Sequence, residues 1–297
     1  MTGAEEGFLL LACRLGNPER RVLTTAQLRT LSQRVKNAPL DDPDRDLEPV
    51  DLVRLGYSPE MAQRIVALLG EEDLLLHYLR RGRRVDCVPI PRNSPLYPKI
   101  LRDRLGDEAP GCLWAKGDLE ILENPGISLV GSRELDPLNA EFARQAGRQA
   151  ALQGYTLISG NARGADRTAQ DSCLSAGGKV ISIVADSLEK HPLGENVLYL
   201  SEEDFDEEFT TQRALSRNRC IHALGDKVLI AQAGYRHGGT WDGTVKNLRF
   251  RWSDVFCFAD GSSAAKELCQ MGGNPVLLEQ LSDLKSLIGS EDNFLGR

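Results

Sequence analysis

From residue 126 onward the chain alternates short apolar runs with amphipathic stretches. "ISLVG", "YTLISG", "KVISIVA", "KVLIAQ", "VFCFA" and "NPVLL" are rich in Ile, Val, Leu and Phe and are bounded by turn formers. Between them, apolar residues recur at helical spacing over about 137–152, 165–176, 213–224, 241–250 and 263–271. Apolar strands separated by helices of this length predict an α/β, Rossmann-like, mostly parallel sheet with helices on both faces. Residues 186–212 read as a loop-rich interval. Upstream, "VDCVPI" and "CLWAKG" read as strands flanking the helical "LYPKILRDRL".

Before residue 85 the pattern is helical throughout. Thr24-Thr25-Ala26-Gln27 fits a capping box, and Leu28, Leu31 and Val35 follow at helical spacing. A charged, Pro-containing link, "APLDDPDRDLEPV", precedes Ser58-Pro59, which caps "EMAQRIVALL" in the order N-cap then proline. A further helix covers about Glu71 to Arg81. The chain therefore divides into a small all-helical N-terminal domain, 1–84, and a Rossmann-like domain, 85–297.

Composition narrows the class. At 41% hydrophobic and 27% charged residues the chain is an ordinary globular protein. No apolar run reaches the roughly 20 residues that span a bilayer, and Phe8 to Cys13 is too short for a signal peptide. Seven cysteines without a CxxC pair read as reduced, mostly buried thiols, which points to the cytoplasm and to neither disulfides nor zinc. A net charge of −7 excludes a generally basic surface, so any nucleic-acid contact has to be focused.

In parallel sheets ligands bind outside the carboxyl ends of the strands, which makes the strand-end loops the places to look. Four segments stand out there: Gly131-Ser132-Arg133, Ser159 to Asp166, Ser216 to Arg219, and "HGGTWDGT" from His237 to Thr244. Glycines let backbone amides approach a ligand, and helix N-termini offer unpaired N–H groups with partial positive charge. Arg133, Arg163, Arg217 and Arg219 add forked donors suited to phosphate oxygens. Together with Ser132, Ser159, Gly160, Gly164, Asp166, Asn218, Gly238, Gly239 and Thr240 they read as a phosphate site. Plainer readings stand beside this one. The glycines serve as tight turns, Arg163 pairs with Asp166, and Asp166 is a first-turn acid favoured by the helix dipole. Arg217 and Arg219 lie two apart on a helix and cannot face the same way, so one of them is structural.

Several chemistries lack their fingerprints. There is no GxxxxGK[ST] loop for ATP hydrolysis and no GxGxxG for a nicotinamide cofactor. His77, His191, His222 and His237 form no metal-ligand spacing, and Ser159 lacks the GxSxG elbow of a hydrolase nucleophile. No cofactor, metal or catalytic residue is assigned.

The ordered set "VGSR", "SGNARGADRTA", "RNRCIHAL" and "GGTWDGT" resembles the DNA-processing protein A family (DprA, also called Smf), over most of residues 90–275. "SPLYPKIL" and "APGCLWAKGD" resemble the segment ahead of that family's Rossmann domain. Its wider superfamily includes the cytokinin-activating phosphoribohydrolases. The resemblance implies a homodimer that binds single-stranded DNA and helps load a RecA-type recombinase, in DNA uptake, natural transformation or recombination. By analogy Gly131, Ser132, Arg133, Ser159, Gly160, Arg163, Gly164, Asp166, Arg217, Asn218 and Arg219 line the pocket for DNA phosphates.

The sequence departs from the family's pattern in places. Gln170 stands where many relatives have histidine. Ala214 and Leu215 stand where an aromatic is common, which implies weaker base stacking. "GGTWDGT" replaces a serine-rich loop, and the chain ends soon after "NPVLL", with no room for a C-terminal winged-helix-like domain. The 1–84 domain is expected to be SAM- or helix-hairpin-helix-like: "LGYSPEMAQRI" resembles the second half of such a motif, although with Ser58 in place of glycine an ordinary capped helix is the better reading. Arg80, Arg81, Arg83 and Arg84 read as a solvated helix end or an extension of a DNA path.

The leading expectation is thus a non-enzymatic single-stranded-DNA-binding protein. A phosphoribohydrolase on the same fold is the enzyme alternative, but Val245, Lys246 and Asn247 follow Thr244 where that group has a catalytic glutamate, and Asp242 lies inside the loop. A sensor of small nucleotides is the third.

Overall fold

The structure, a computed structural model, describes residues 1–37 and 47–289, so most of the link "APLDDPDRDLEPV" lies outside the described residues. The helical segment comprises α1 (Gly3–Ala12), α2 (Thr25–Asn37), α3 (Pro49–Arg54), α4 (Pro59–Leu69) and α5 (Glu72–Arg84). Its start signals act as the sequence indicates. The Gln27 amide donates to Thr24 Oγ1 at 3.3 Å while Gln27 Oε1 accepts from the Thr24 amide at 2.9 Å. Ser58 caps α4 through the Met61 amide at 3.3 Å. A second capping box, Thr2 with Glu5, starts α1, a helix that the sequence reading does not single out.

The sheet follows as β1 (Cys87–Pro91), α6 (Lys99–Leu105), β2 (Cys112–Lys116), β3 (Gly126–Val130), α7 (Pro137–Leu152), β4 (Thr156–Ser159), α8 (Ala165–Ser175) and β5 (Val180–Ile183). It continues through β6 (Val197–Ser201), α9 (Thr211–Leu224), β7 (Lys227–Ile230), α10 (Gly239–Phe250), β8 (Asp254–Phe258), α11 (Ser263–Gln270) and β9 (Asn274–Val276). Among the described residues these nine strands form one sheet, ordered β1-β2-β6-β5-β4-β3-β7-β8-β9. β3 to β9 pair in parallel, while β1 with β2 and β2 with β6 pair antiparallel. The fold is therefore the mixed α/β, mostly parallel one that the alternation predicts.

Side chains alternate across the strands and both faces are covered. Ile158, Ile181, Val228, Ile230 and Val255 pack under α9, α10 and α11. Leu157, Val180, Leu229 and Phe256 pack under α7 and α8. Two buried faces explain why the strands read as continuous apolar runs. α7 and α8 sit close because α7 turns Ala143, Ala146, Gly147 and Ala150 toward its neighbour. A Cβ on Gly147 would stand 2.0 Å from the Ala169 carbonyl oxygen.

Residues 197–201 correct the reading of 186–212 as loop. β6 alternates half-buried Val197 and Tyr199 with buried Leu198 and Leu200. Pairing on both sides, with β5 and β2, places it inside the sheet, although the run is short and acidic residues follow it. The helical segment shares a core with this part of the sheet. Leu9, Leu10, Leu75, Tyr78 and Leu79 pack with Trp114, Val184 and Phe205. Buried Arg20 ties the helices together, reaching Glu71 and the carbonyls of Leu10 and Cys13. All seven cysteines are free thiols, and six of them are buried. Among the described residues no helix is long and apolar enough to cross a membrane.

Candidate functional site

β4, β3 and β7 are neighbours, so the loops after them (160–164, 131–136 and 231–238) open onto one edge of the sheet. From β3 the chain runs outward through β4 and β5 and later returns to the other side of β3 for β7. A reversal of this kind leaves a crevice at the carboxyl ends. A crevice of about 430 Å³ lies there, lined by Gly131, Ser132, Arg133, Asp166, Arg217, Asn218, Gly238, Gly239 and Thr240 among others. An adjoining hollow of about 240 Å³ contains Gly160 and Arg163 and shares Arg133 and Arg217 with the first.

Close backbone approach builds this edge. Gly164 caps α8 at φ 88°, and a Cβ there would stand 2.4 Å from the Ser132 carbonyl oxygen. That oxygen accepts the Ala165 amide at 3.1 Å, which joins the loops after β3 and β4. Gly238, at φ 89°, caps α10. The first-turn amides of α10 have no carbonyl within their own helix and carry its partial positive charge, which suits them to an anion. Asn218 Nδ2 donates to the Gly239 carbonyl oxygen at 3.2 Å and fixes that helix start against α9.

Arg217 is the distinctive side chain. It is only 6% exposed, and among the described residues it forms no ion pair or hydrogen bond, with Nε buried and unpartnered. Its guanidinium lies over the Gly160 backbone, where a Cβ would stand 1.4 Å from Nη1. Burial pulls its pKa down, and Asp166 acts against that shift. A buried cation without a direct partner carries a desolvation penalty that an arriving anion offsets. Arg133 stands exposed at the same crevice, also without a hydrogen bond or ion pair among the described residues.

Asp166 plays a different part. Its Oδ2 accepts the amides of Gly160 and Ala162, each at 3.2 Å, and so folds the loop after β4 back onto α8. Burial raises its pKa, against the lowering influence of Arg217 and of those two amides. Arg163 does not pair with Asp166. It is exposed on the rim and meets Glu134 Oε1 at 3.2 Å.

Three of the expected site residues stay outside both hollows. Ser159 is fully buried and accepts from Gln170 Nε2 at 2.5 Å, and Gln170 also reaches Ser182 on the next strand at 3.3 Å. Gly164 acts behind the wall as the cap of α8. Arg219 turns to the other side of α9, where it pairs with Glu202 at 2.9 Å and donates to the Glu108 carbonyl at 3.0 Å. Two residues along a helix rotate a side chain by roughly 200°, which separates it from Arg217. Asp242 lines the neighbouring acidic cleft beside Asp107, Glu108 and Lys246. Among the described residues no cluster of His, Cys, Asp and Glu is placed to hold a metal ion. Buried His222, its pKa pushed down to about 3 by burial, contacts Asn247 and stays neutral.

Two residues at this edge escape the sequence reading. Phe209 lines both hollows and is 50% exposed. It supplies an aromatic surface beside Ala214 and Leu215, where the sequence reading expects none. Arg213 holds its loop through the carbonyls of Glu207 and Glu208 at 2.6 and 2.7 Å. Asn161, at φ 61°, sits at the adjoining hollow with Nδ2 3.5 Å from His191 Nδ1, while Asp186 meets His191 Nε2 at 3.0 Å. The signal for Phe209 was an aromatic among acids. Phe205, four residues earlier, carries the same signal and is fully buried.

The family model described as DNA recombination-mediator protein A matches residues 89–247. Protein Smf of Synechocystis is 25% identical over 199 residues, covering 62% of this chain and 49% of that protein. The chain spans about half the length of the curated relatives it matches. Among solved structures, DNA processing protein A (DprA) from Streptococcus pneumoniae superposes with TM-score 0.64 at 21% identity, over 89% of this chain and 98% of that one. DNA processing protein A from Helicobacter pylori, whose structure is described in terms of its single-stranded DNA binding mode, gives TM-score 0.57 at 23% identity over 66% and 94%. These two likenesses concern the fold.

Proposed function

Because the chain belongs to the DNA recombination-mediator protein A family, we propose that it binds single-stranded DNA at the carboxyl edge of its sheet. The observation that carries this reading is Arg217, a buried guanidinium without a partner in a glycine-walled crevice at the switch point. Arg133, Arg217 and the first-turn amides of α10 at Gly238, Gly239 and Thr240 contact phosphates. Gly131, Ser132 and Asn218 shape the floor, Gly160 and Arg163 extend the path, and Phe209 stacks on a base. Ser159, Gly164 and Asp166 hold the loops, while Arg219 anchors α9. The same proposal includes a homodimer, and it includes handing the strand to a RecA-type recombinase, the second of which the family's description as a recombination mediator supports. Helices 1–84 form the smaller domain that buttresses the sheet edge.

The test is a titration of a labelled oligonucleotide at several salt concentrations. With Arg133, Arg163 and Arg217 engaged, the log–log slope is expected to be roughly −2 per protomer. Duplex of equal length is expected to bind less well, because a narrow crevice with an aromatic wall accepts a flexible strand with unstacked bases. Phe209→Ala is expected to lose about tenfold in affinity, within the range for one base stacked on an aromatic, and Phe209→Trp to keep it. Equal affinity for duplex and single strand, or tighter binding of free nucleotides, would move the reading to a small-nucleotide sensor. The phosphoribohydrolase alternative is disfavoured because Asp242 faces another cleft and the Asp166 carboxylate is occupied by two backbone amides.

A further inference from the structure

The loop between β7 and α10 carries an exposed aromatic that nothing in the phosphate crevice requires. Tyr235 is 48% exposed, yet its ring is held from two sides. It makes a T-shaped contact with buried Trp241, with centroids 6.0 Å apart at 69°, and the Arg236 guanidinium stands 5.2 Å from its centroid. Arg236 is itself fixed by Glu267 on α11, with Nη2 to Oε1 at 2.8 Å and Nε to the two carboxylate oxygens at 2.9 and 3.1 Å. Arg236 adopts φ 58°, an unfavourable conformation for a residue with a side chain, which these contacts hold in place. An exposed ring immobilised in this way gains little from burial. Its preorganisation favours a flat ligand, because little side-chain freedom remains to be lost on stacking.

Its place defines the ligand. Gly234, His237 and Gly238, on either side of Tyr235 and Arg236, line the same crevice as Arg217. Phe209 reaches the crevice from the loop after β6, and Tyr235 stands on the loop after β7, with β6 and β7 on opposite sides of β3. The two loops therefore lie on opposite sides of β3, with Phe209 on one and Tyr235 on the other.

We propose that Tyr235 is a second base-stacking platform, which takes an unpaired nucleobase and extends the single-strand footprint from the crevice onto the β7–α10 loop. This rests on the single-stranded DNA reading. Because Glu267 neutralises Arg236, the subsite adds stacking without a further phosphate contact. Its contribution is accordingly independent of salt.

The experiment compares oligothymidylate of about ten nucleotides, long enough to span such a groove, with a trinucleotide, across a salt series. Tyr235→Ala is expected to lose about tenfold in affinity for the longer strand with the salt slope unchanged, and little for the trinucleotide. Tyr235→Trp is expected to restore the loss. Quenching of tryptophan fluorescence on binding, with Trp241 beside the ring, is expected to shrink in Tyr235→Ala. Full affinity of Tyr235→Ala for the longer strand, alongside a clear loss in Arg217→Ala, overturns the subsite alone. Full affinity in both variants overturns the single-strand reading itself. A loss accompanied by a shallower salt slope overturns stacking in favour of a phosphate contact.

Discussion

Arg217→Ala is expected to weaken binding of a single-stranded oligonucleotide on the order of a hundredfold while the protein stays folded. Truncating a buried, charged contact of an interface removes about 3 kcal/mol, and that energy corresponds to about two decades in Kd. The loss is expected to be similar across base sequences, because phosphate contacts position a strand and do not read it. Two opposing effects limit the change in stability. The variant is relieved of a buried guanidinium that has no direct partner, while Asp166 loses a nearby positive charge. Arg219→Ala is the opposite case. It strands Glu202, whose side chain is only 4% exposed, so it is expected to destabilise the fold by about 3 kcal/mol or more and to leave the affinity of the folded fraction nearly intact. Anisotropy titrations paired with urea unfolding separate the two. An Arg217→Ala protein that binds as tightly as the unsubstituted chain refutes the role given to that side chain.

Asp166→Ala is expected to destabilise the protein by about 3 kcal/mol, because the buried amide of Gly160 and the half-buried amide of Ala162 both lose their acceptor. Asp166→Asn is expected to be much milder, since both amides converge on one oxygen and an amide carbonyl can accept both. The pH dependence distinguishes the two roles of the group. Burial raises the Asp166 pKa in the folded state above its unfolded value. The folded state therefore binds this proton more tightly than the unfolded state does. The resulting stabilisation is fully present below the ordinary carboxylate range and is lost as pH rises through the raised value. Asp166→Asn removes that step, so the gap between it and the unsubstituted protein is expected to widen as pH falls. Its affinity for the oligonucleotide at neutral pH is expected to be undiminished, because a buried negative charge near the phosphates is gone. Urea unfolding at several pH values checks this, and an Asn variant as unstable as the Ala variant would mean that geometry outside the two amides carries the effect.

The elements that carry the site were legible in the sequence because each has a local cause. Continuous apolar runs, buried on both faces, gave β3, β4, β5, β7 and β8. Ser58-Pro59 and the Thr24–Gln27 box gave helix starts, and α7 falls on residues 137–152 as its spacing indicates. The shared edge for Gly131, Gly160 and Gly239 followed from the carboxyl-end rule for parallel sheets, given the strand order. Strand β6 was hidden because its reason for being a strand is pairing with β5 and β2, partners distant in sequence and antiparallel on one side. The same limit applies to the side chains. "SRNR" establishes that Arg217 and Arg219 point apart, but only the packing of α9 against β3 and β4 decides that Arg217 enters the crevice and Arg219 meets Glu202. Phe205 and Phe209 lie in one acidic stretch, and nothing local distinguishes the core ring from the exposed one. Tyr235 is set apart by Trp241 from α10 and by neighbouring Arg236, which Glu267 on α11 holds in place. Backbone periodicity and capping are properties of a few consecutive residues, so the sequence by itself determines most of the elements and the strand-end loops that are candidates for a ligand. Burial and partnership depend on residues that only the folded chain brings together, so tertiary structure alone decides which of the arginines and aromatics at that edge remain free to meet a ligand.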